Sequence, residues 1–364
     1  MKTILFIANE SLCNLKKGTP IRVYNFIKEI SRKHNLVLSA PDRNDKLDVK
    51  FYEYPPGNYI SKLFYFVRII RENKIDTIMT ATEIGIALPV ALKILTGSKI
   101  VIDLHGLYAE EMYYDKLIGW PRKVLIEQFT RFCLRFYDLV FTCTEKHKEY
   151  FKNINPNIQV IYEGVDEKVF FKEKKFEPEV FTIGYAGNLK EYQGIPLLLE
   201  ACSNLHSKHK LNFRINLVIS SGATHINDLL NKYNLLDVTS VYVKVDQEVA
   251  NSIMSQSSVI VIPRPSIKIT EYACPSKLTK SLITGIPTIT TNVGSVRELF
   301  ISSECCMVIS GENIVVELEL AILRVGKMSY DQKSKIGSAA ISFVLANLTW
   351  DILGQKINCY LDKV

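Results

Sequence analysis

The chain has 364 residues, 47% of them apolar and 23% charged, which excludes a disordered or fibrous protein and suits two domains. Lys plus Arg number 45 against 38 Asp plus Glu, and the resulting charge of +7 is too mild, unless clustered, to point to nucleic acid. Eight cysteines without a Cys-x-x-Cys pair, several inside apolar runs, argue against a disulfide scaffold or zinc site and for buried thiols in a reducing compartment.

In chain order, the opening Thr3–Ala8 reads as a buried strand; its apolar run is too short for a signal peptide. No stretch reaches the ~18 apolar residues of a membrane span, so the expected location is cytoplasmic. Further strands are expected at Leu36–Ala40, Thr77–Thr80, Ile100–Leu104, Leu139–Thr142 and Gln159–Tyr162. Amphipathic stretches at Ile21–Lys33, Ile84–Thr96 and Pro121–Tyr137 lie between them. A charged, turn-rich segment at Glu167–Glu179 marks a break. Beyond it strands recur at Phe181–Ala186, Asn216–Ser220, Ser240–Val243, Val259–Pro263, Thr288–Thr291 and Cys306–Ile309, with helices at Ile195–His206 and Gln247–Gln256. Strands alternating with helices of this length predict two doubly wound α/β domains, Rossmann-like, facing each other across a cleft.

In such folds ligands gather at the carboxyl ends of strands. Four loops there carry candidate chemistry. After the first strand, Gly18, a capping Thr19 and Pro20 precede Arg22, a cation in the first turn of a helix that is either solvated or set for an anion. After Ile100–Leu104 comes the polar run Asp103-Leu-His105-Gly106, which reads as a site. Gly184 through Gly194 is a Gly-rich strand-to-helix turn suited to phosphate. Finally Arg264 precedes Glu271 and the run Pro275-Ser276-Lys277-Leu278-Thr279-Lys280. Its two lysines share a helix face, and the expected helix, ending at Gly285, puts both near an N-terminus, where an anionic ligand offsets their repulsion.

These segments in this order, together with Tyr162-Glu-Gly164-Val165-Asp166 and Gly285-Ile-Pro287, resemble the retaining nucleotide-sugar glycosyltransferases of family 4, which have the GT-B fold. The resemblance spans nearly the whole chain. It implies an acceptor domain at 1–170, a nucleotide-sugar domain at 171–345, and a last helix within 346–364 that crosses back to the first domain. It implies a donor that is a UDP- or GDP-sugar, no cofactor and no metal, and a glycan, glycolipid or protein-linked acceptor. The C1–O bond of the donor breaks through an oxocarbenium-like state while the acceptor attacks the same face. His105, Lys277 and Arg264 are the implied catalytic residues, with His105 on the donor sugar. Gly18, Arg22, Gly187, Asn188, Lys190, Glu271, Ser276 and Lys280 are the implied donor-binding set. The family's cation after Gly187 is here Asn188, its lysine before Gly194 is Gln193, and its ribose-binding glutamate aligns with Lys280. Its other glutamate falls near Glu271 or Tyr272. Each missing charge-assisted bond to diphosphate costs about 1.5–3 kcal/mol, with Lys190, Arg264, Lys277 and Lys280 as replacements. The departures also admit a catalytically weak GT-B subunit that recruits an active protein partner. A sugar-nucleotide epimerase is disfavoured because no carboxylate pair stands out.

One stretch suggests an anionic membrane surface as a further partner, which would make the protein peripheral. Tyr59–Lys74, read as a helix, lines up Leu63, Phe66 and Ile70 and carries Lys62, Arg68, Arg71 and Lys74. Lys16–Arg22 and Arg122–Lys123, beside Trp120, add further positive charge.

Overall fold

The computed structural model describes residues 1–13, 18–170, 178–220, 222–301 and 303–364. Lys16 and Lys17 of the expected basic cluster and residues 171–177 of the expected break lie outside them. The chain forms two compact units. One comprises Met1–Glu163 with Tyr272–Cys274 and Trp350–Val364; the other comprises Gly164–Glu271 and Pro275–Thr349.

The first unit is built on a seven-stranded parallel sheet: β1 (Thr3–Ile7), β2 (Asn35–Ala40), β3 (Lys50–Glu53), β4 (Thr77–Ala81), β5 (Lys99–Leu104), β6 (Leu139–Thr142) and β7 (Ile158–Val160). The order is β3-β2-β1-β4-β5-β6-β7. Side chains alternate across it, because successive residues of a strand point to opposite faces. Ile4 and Phe6 join one core cluster, and Leu5 and Ile7 the other. Both faces are covered, which is why these strands read as near-continuous apolar runs. The helices Tyr59–Asn73, Ala87–Thr96 and Trp120–Leu134 cover the second face. On the first face Gly18–Ser31 packs against the last helix, Trp350–Lys363. Trp350 meets Phe26 edge-on at 6.0 Å, and Asn358 Nδ2 donates to the Glu29 carbonyl at 2.9 Å. Gly354 permits the close approach, since a Cβ there would lie 2.6 Å from Glu29 Cβ.

The second unit carries β8 (Thr182–Gly187), β9 (Arg214–Ile219), β10 (Thr239–Val243), β11 (Val259–Ile262), β12 (Thr288–Thr291) and β13 (Met307–Ile309), all parallel, in the order β10-β9-β8-β11-β12-β13. Ile183, Ile215, Leu217, Val259 and Val261 anchor its core. Both sheets reverse strand order beside their first strand, between β1 and β4 and between β8 and β11. Those switch points are where such folds take ligands.

The expected strands form, with ends shifted by a residue or two. The added strand is β3, an edge strand with exposed ends and a half-buried middle, whose sequence Lys-Phe-Tyr-Glu gives no long apolar run. The expected helix from Ile84 starts at Ala87, because Thr82 and Gly85 take positive φ of 66° and 77°. Helix Tyr59–Asn73 buries Phe66, Ile69 and Ile70 in the core, so the apolar stripe expected to face outward is mostly a packing face. Among the described residues no helix is long and apolar enough to cross a membrane. All eight cysteines are free; five are buried, but Cys13 and Cys359 are exposed, against the expectation that they are buried.

Candidate active site

At the carboxyl end of the first sheet, Asp103 of β5 sits in a buried charge network. Arg22 donates Nε–H and an Nη2–H to its two oxygens, both at 2.9 Å. The remaining Arg22 donors reach Glu163 (3.2 Å) and the carbonyls of Ile161 (2.8 Å) and Tyr162 (3.0 Å). A guanidinium has five N–H donors, and all five are used. Arg22 is 1% exposed and lies over the Phe26 ring at 4.9 Å. Both sequence readings of Arg22, a solvated cation or one set for an anion, are therefore corrected: it is a structural cation with no donor left. Gly18 begins the helix that carries Arg22 and lies exposed, in open space where a Cβ would meet no atom within 4 Å. The helix start also puts Thr19 inside the helix rather than at its cap.

Asp103 also fixes His105. His105 Nε2 lies 2.6 Å from Asp103 Oδ2, while its buried Nδ1 has no hydrogen-bond partner. The carboxylate assigns the proton to Nε2 in the neutral ring, which leaves the Nδ1 lone pair for a hydroxyl. Burial alone would raise the Asp103 carboxyl, but the Arg22 guanidinium and His105 outweigh it and hold it far below the usual range. Behind them His147 is fully buried with both ring nitrogens unpartnered, between Phe151 at 5.4 Å and Tyr272 at 6.1 Å. Desolvation lowers its pKa to about 3, so it is neutral.

In the second unit the loops after β8 and β11 flank the switch point. Lys277, in the first turn of the helix Ser276–Leu282, donates to Gln193 Oε1 at 2.7 Å and lies 4.9 Å from the Tyr185 ring centroid. Desolvation, then the Arg264 guanidinium, pulls its pKa down to about 7. Gly187 makes room for the ammonium: a Cβ there would lie 2.3 Å from Nζ. Gly194, with φ of 74°, brings the β8 loop onto Pro263 so closely that a Cβ would meet its carbonyl oxygen at 1.7 Å. Arg264 is buried, with its guanidinium 6.0 Å from the Tyr192 ring. Gly187, Lys277, Arg264 and Gln193 thus come together. Asn188 accepts from the Tyr185 hydroxyl through its carbonyl at 3.0 Å and from Lys190 N–H through its side chain at 3.2 Å. Lys190 itself is exposed, over Tyr192. Glu271 takes a bidentate pair from Arg297 at 2.9 and 3.2 Å and a bond from Ser266 at 2.7 Å. The helix Ser276–Leu282 is shorter than expected, so Lys280 falls in its last turn. There the dipole favours a cation, which corrects the expectation that both lysines oppose it. Among the described residues no group of three His, Cys, Asp or Glu could hold a metal.

Residues 17–169 match the family Glycosyltransferase Family 4, and residues 166–341 match Glycosyl transferases group 1. The chain belongs to the family 4, group 1 glycosyltransferases. Its fold is shared with sucrose-phosphate synthase from Thermosynechococcus elongatus, at 15% identity and TM-score 0.79, covering 100% of this chain and 99% of that one. A Rickettsia africae glycosyltransferase matches at 17% identity and TM-score 0.79, covering 99% and 98%. Anabaena HepE, solved with UDP-glucose, matches at 13% identity and TM-score 0.78 over the whole of both chains. The glycosyltransferase matches no curated protein in sequence.

Several residues around the candidate site carry no clear signal of their role in the sequence. Glu163 and His147 gain their place only through the pairing of β5, β6 and β7. Tyr185 reads as core, and Gln193 as a loss rather than a partner for Lys277. Arg297 had a usable signal, since it follows β12 at a strand's carboxyl end.

Proposed function

We propose that the protein transfers a sugar from a nucleotide-diphosphate sugar to a hydroxyl of a glycan, glycolipid or protein-linked acceptor, with retention at the anomeric carbon and without a metal. The observation that carries this reading is Lys277, a desolvated ammonium whose hydrogen bond to Gln193 goes to a neutral amide. An ammonium has three donors, and a diphosphate would restore the charge that burial disfavours. The nucleotide-sugar class is supported by the UDP-glucose bound to the Anabaena neighbour. The donor is then a UDP- or GDP-sugar held by the second unit, while the first unit serves the acceptor.

Negative charge grows on the departing diphosphate as the C1–O bond breaks, and fixed cations there stabilise it in the transition state. Lys277 and Arg264 take that role, with the turn at Gly187 and Asn188 and the start of the helix at Ser276 beside them; Lys190 and Lys280 are lesser contributors. Glu271, held in place by Arg297, completes the donor-binding set. His105, oriented by Asp103, accepts a hydroxyl of the donor sugar at Nδ1. The test is a screen of purified protein against UDP-, GDP- and TDP-sugars, reading thermal shift and nucleotide release with an acceptor extract. A ligand at a hundred times its Kd stabilises by about 2.7 kcal/mol. No stabilisation by any nucleotide sugar would overturn the reading; binding without turnover would favour a non-catalytic subunit.

A further inference from the structure

The helix Trp120–Leu134 buries Thr130, Cys133 and Leu134 and leaves its opposite side to solvent. That side is not polar. Leu125 (69%), Phe129 (49%), Phe132 (53%) and, just past the helix, Phe136 (39%) are exposed, at spacings of four, three and four that keep them on one stripe. Phe132 and Phe136 touch edge to face at 5.4 Å. At the other end Leu117 and Trp120 are exposed by more than 60% each. The stripe from Leu125 to Phe136 runs about 17 Å along the helix axis at ~1.5 Å per residue. Single exposed apolar residues are ordinary, but four bulky ones in one row, with two more exposed before and at the start of the helix, are not.

The charge around the row has one sign. Lys116, Arg122 and Arg135 are exposed beside it. From Leu117 to Phe136 the sequence holds four cations and a single carboxylate, Glu127, and Lys123 lies 3.5 Å from that carboxylate on the inner side. We propose that this face docks on an anionic lipid surface, with the aromatic row in the headgroup region and the arginines on lipid phosphates. An interfacial helix combines bulky apolar residues on one side with flanking cations, and tryptophan favours the headgroup level. A second copy of this chain is a poorer occupant. An isologous contact would set Arg122 and Arg135 against the same residues with no exposed carboxylate in the row to receive them. The helix Tyr59–Asn73, which the sequence favoured for this role, is the lesser contributor. Its Lys62 and Arg68 lie against Tyr54 and Tyr65, and Arg68 is 3.5 Å from Glu72.

The test uses the full chain and needs no label. It has two tryptophans, and Trp350 is buried, so a vesicle-dependent change in emission reports Trp120. Vesicles of phosphatidylglycerol and phosphatidylcholine should shift Trp120 emission to the blue, and brominated acyl chains should quench it. Pure phosphatidylcholine should do neither. Each cation near the surface is worth about fivefold in partitioning, so Arg122→Glu with Arg135→Glu should lower it at least tenfold. Phe129→Ser with Phe132→Ser should do the same, and 1 M salt should weaken binding as the Debye length falls to about 3 Å. All four residues are exposed, so unchanged far-UV circular dichroism is expected of both variants. The proposal is overturned if wild type ignores anionic vesicles at low salt, or if either double variant partitions like wild type. It is also overturned if wild type is a dimer that the phenylalanine variant dissociates, which would make the face a self-interface.

Discussion

Arg22 in the first unit and Lys277 in the second both look, from sequence, like cations waiting for a phosphate. The structure separates them by what their donors already do. Arg22 has all five N–H groups committed to two carboxylates and two carbonyls. Lys277 is also stripped of water, yet its hydrogen bond to Gln193 is to a neutral oxygen and its charged neighbour, Arg264, repels it. A buried cation already matched by carboxylates holds a fold together. One that is desolvated and set beside a second cation is costly alone and suited to an anion.

If the contrast is right, the two residues fail in opposite ways. Arg22→Met should cost about 3–5 kcal/mol of stability, because it leaves Asp103 and Glu163 buried without a counter-charge; the urea midpoint reads this, and an unmoved midpoint would mean the network is dispensable. Lys277→Met should leave that midpoint unchanged or higher while lowering kcat/KM about 10²- to 10³-fold, the usual loss for a group that meets developing charge. If both variants lose stability alike, the distinction fails. His147 sharpens the picture of the first unit. Its folded pKa of about 3 lies below the ordinary value of 6.5, so the unfolded chain binds the proton first as pH falls. Its contribution is present above pH 6.5 and is lost as pH falls toward 3, at up to about 1.4 kcal/mol per pH unit. His147→Phe should flatten that acid limb. The smallest effect is expected from Gly187→Ala. Its methyl would lie 2.3 Å from Lys277 Nζ and 2.9 Å from the Tyr185 hydroxyl, so both must shift, and nucleotide affinity should fall about tenfold, or 1.4 kcal/mol.

The strands were legible because sheets covered on both faces write long apolar runs into the sequence. β3 was not, since Lys50–Glu53 sits at an edge and mixes charge with aromatics. The loops that matter were also legible, by the rule that sites follow strands. The role of each side chain within them was not. Whether Arg22 faces water or Asp103 depends on β5 and the segment after β7 arriving beside it from about 80 and 140 residues away. Whether Lys280 opposes or suits its helix depends on where the helix stops, and Ser276–Leu282 stops after seven residues. The exposed aromatic row on Trp120–Leu134 was hidden for a similar reason. Periodicity finds an apolar stripe but not which stripe the sheet covers.

The most direct measurement is calorimetric titration of UDP and GDP into wild type and Lys277→Met at pH 6.5 and 8.5. With a lysine pKa of about 7 in the free protein, the charged form falls from most of the population to a few per cent across that range. Because the diphosphate binds the charged form, wild-type affinity should drop about ten- to thirtyfold as pH rises. The variant should bind weakly at both values and show no such slope. Equal affinities for the two proteins, flat with pH, would contradict the assignment of Lys277 as the phosphate-binding cation.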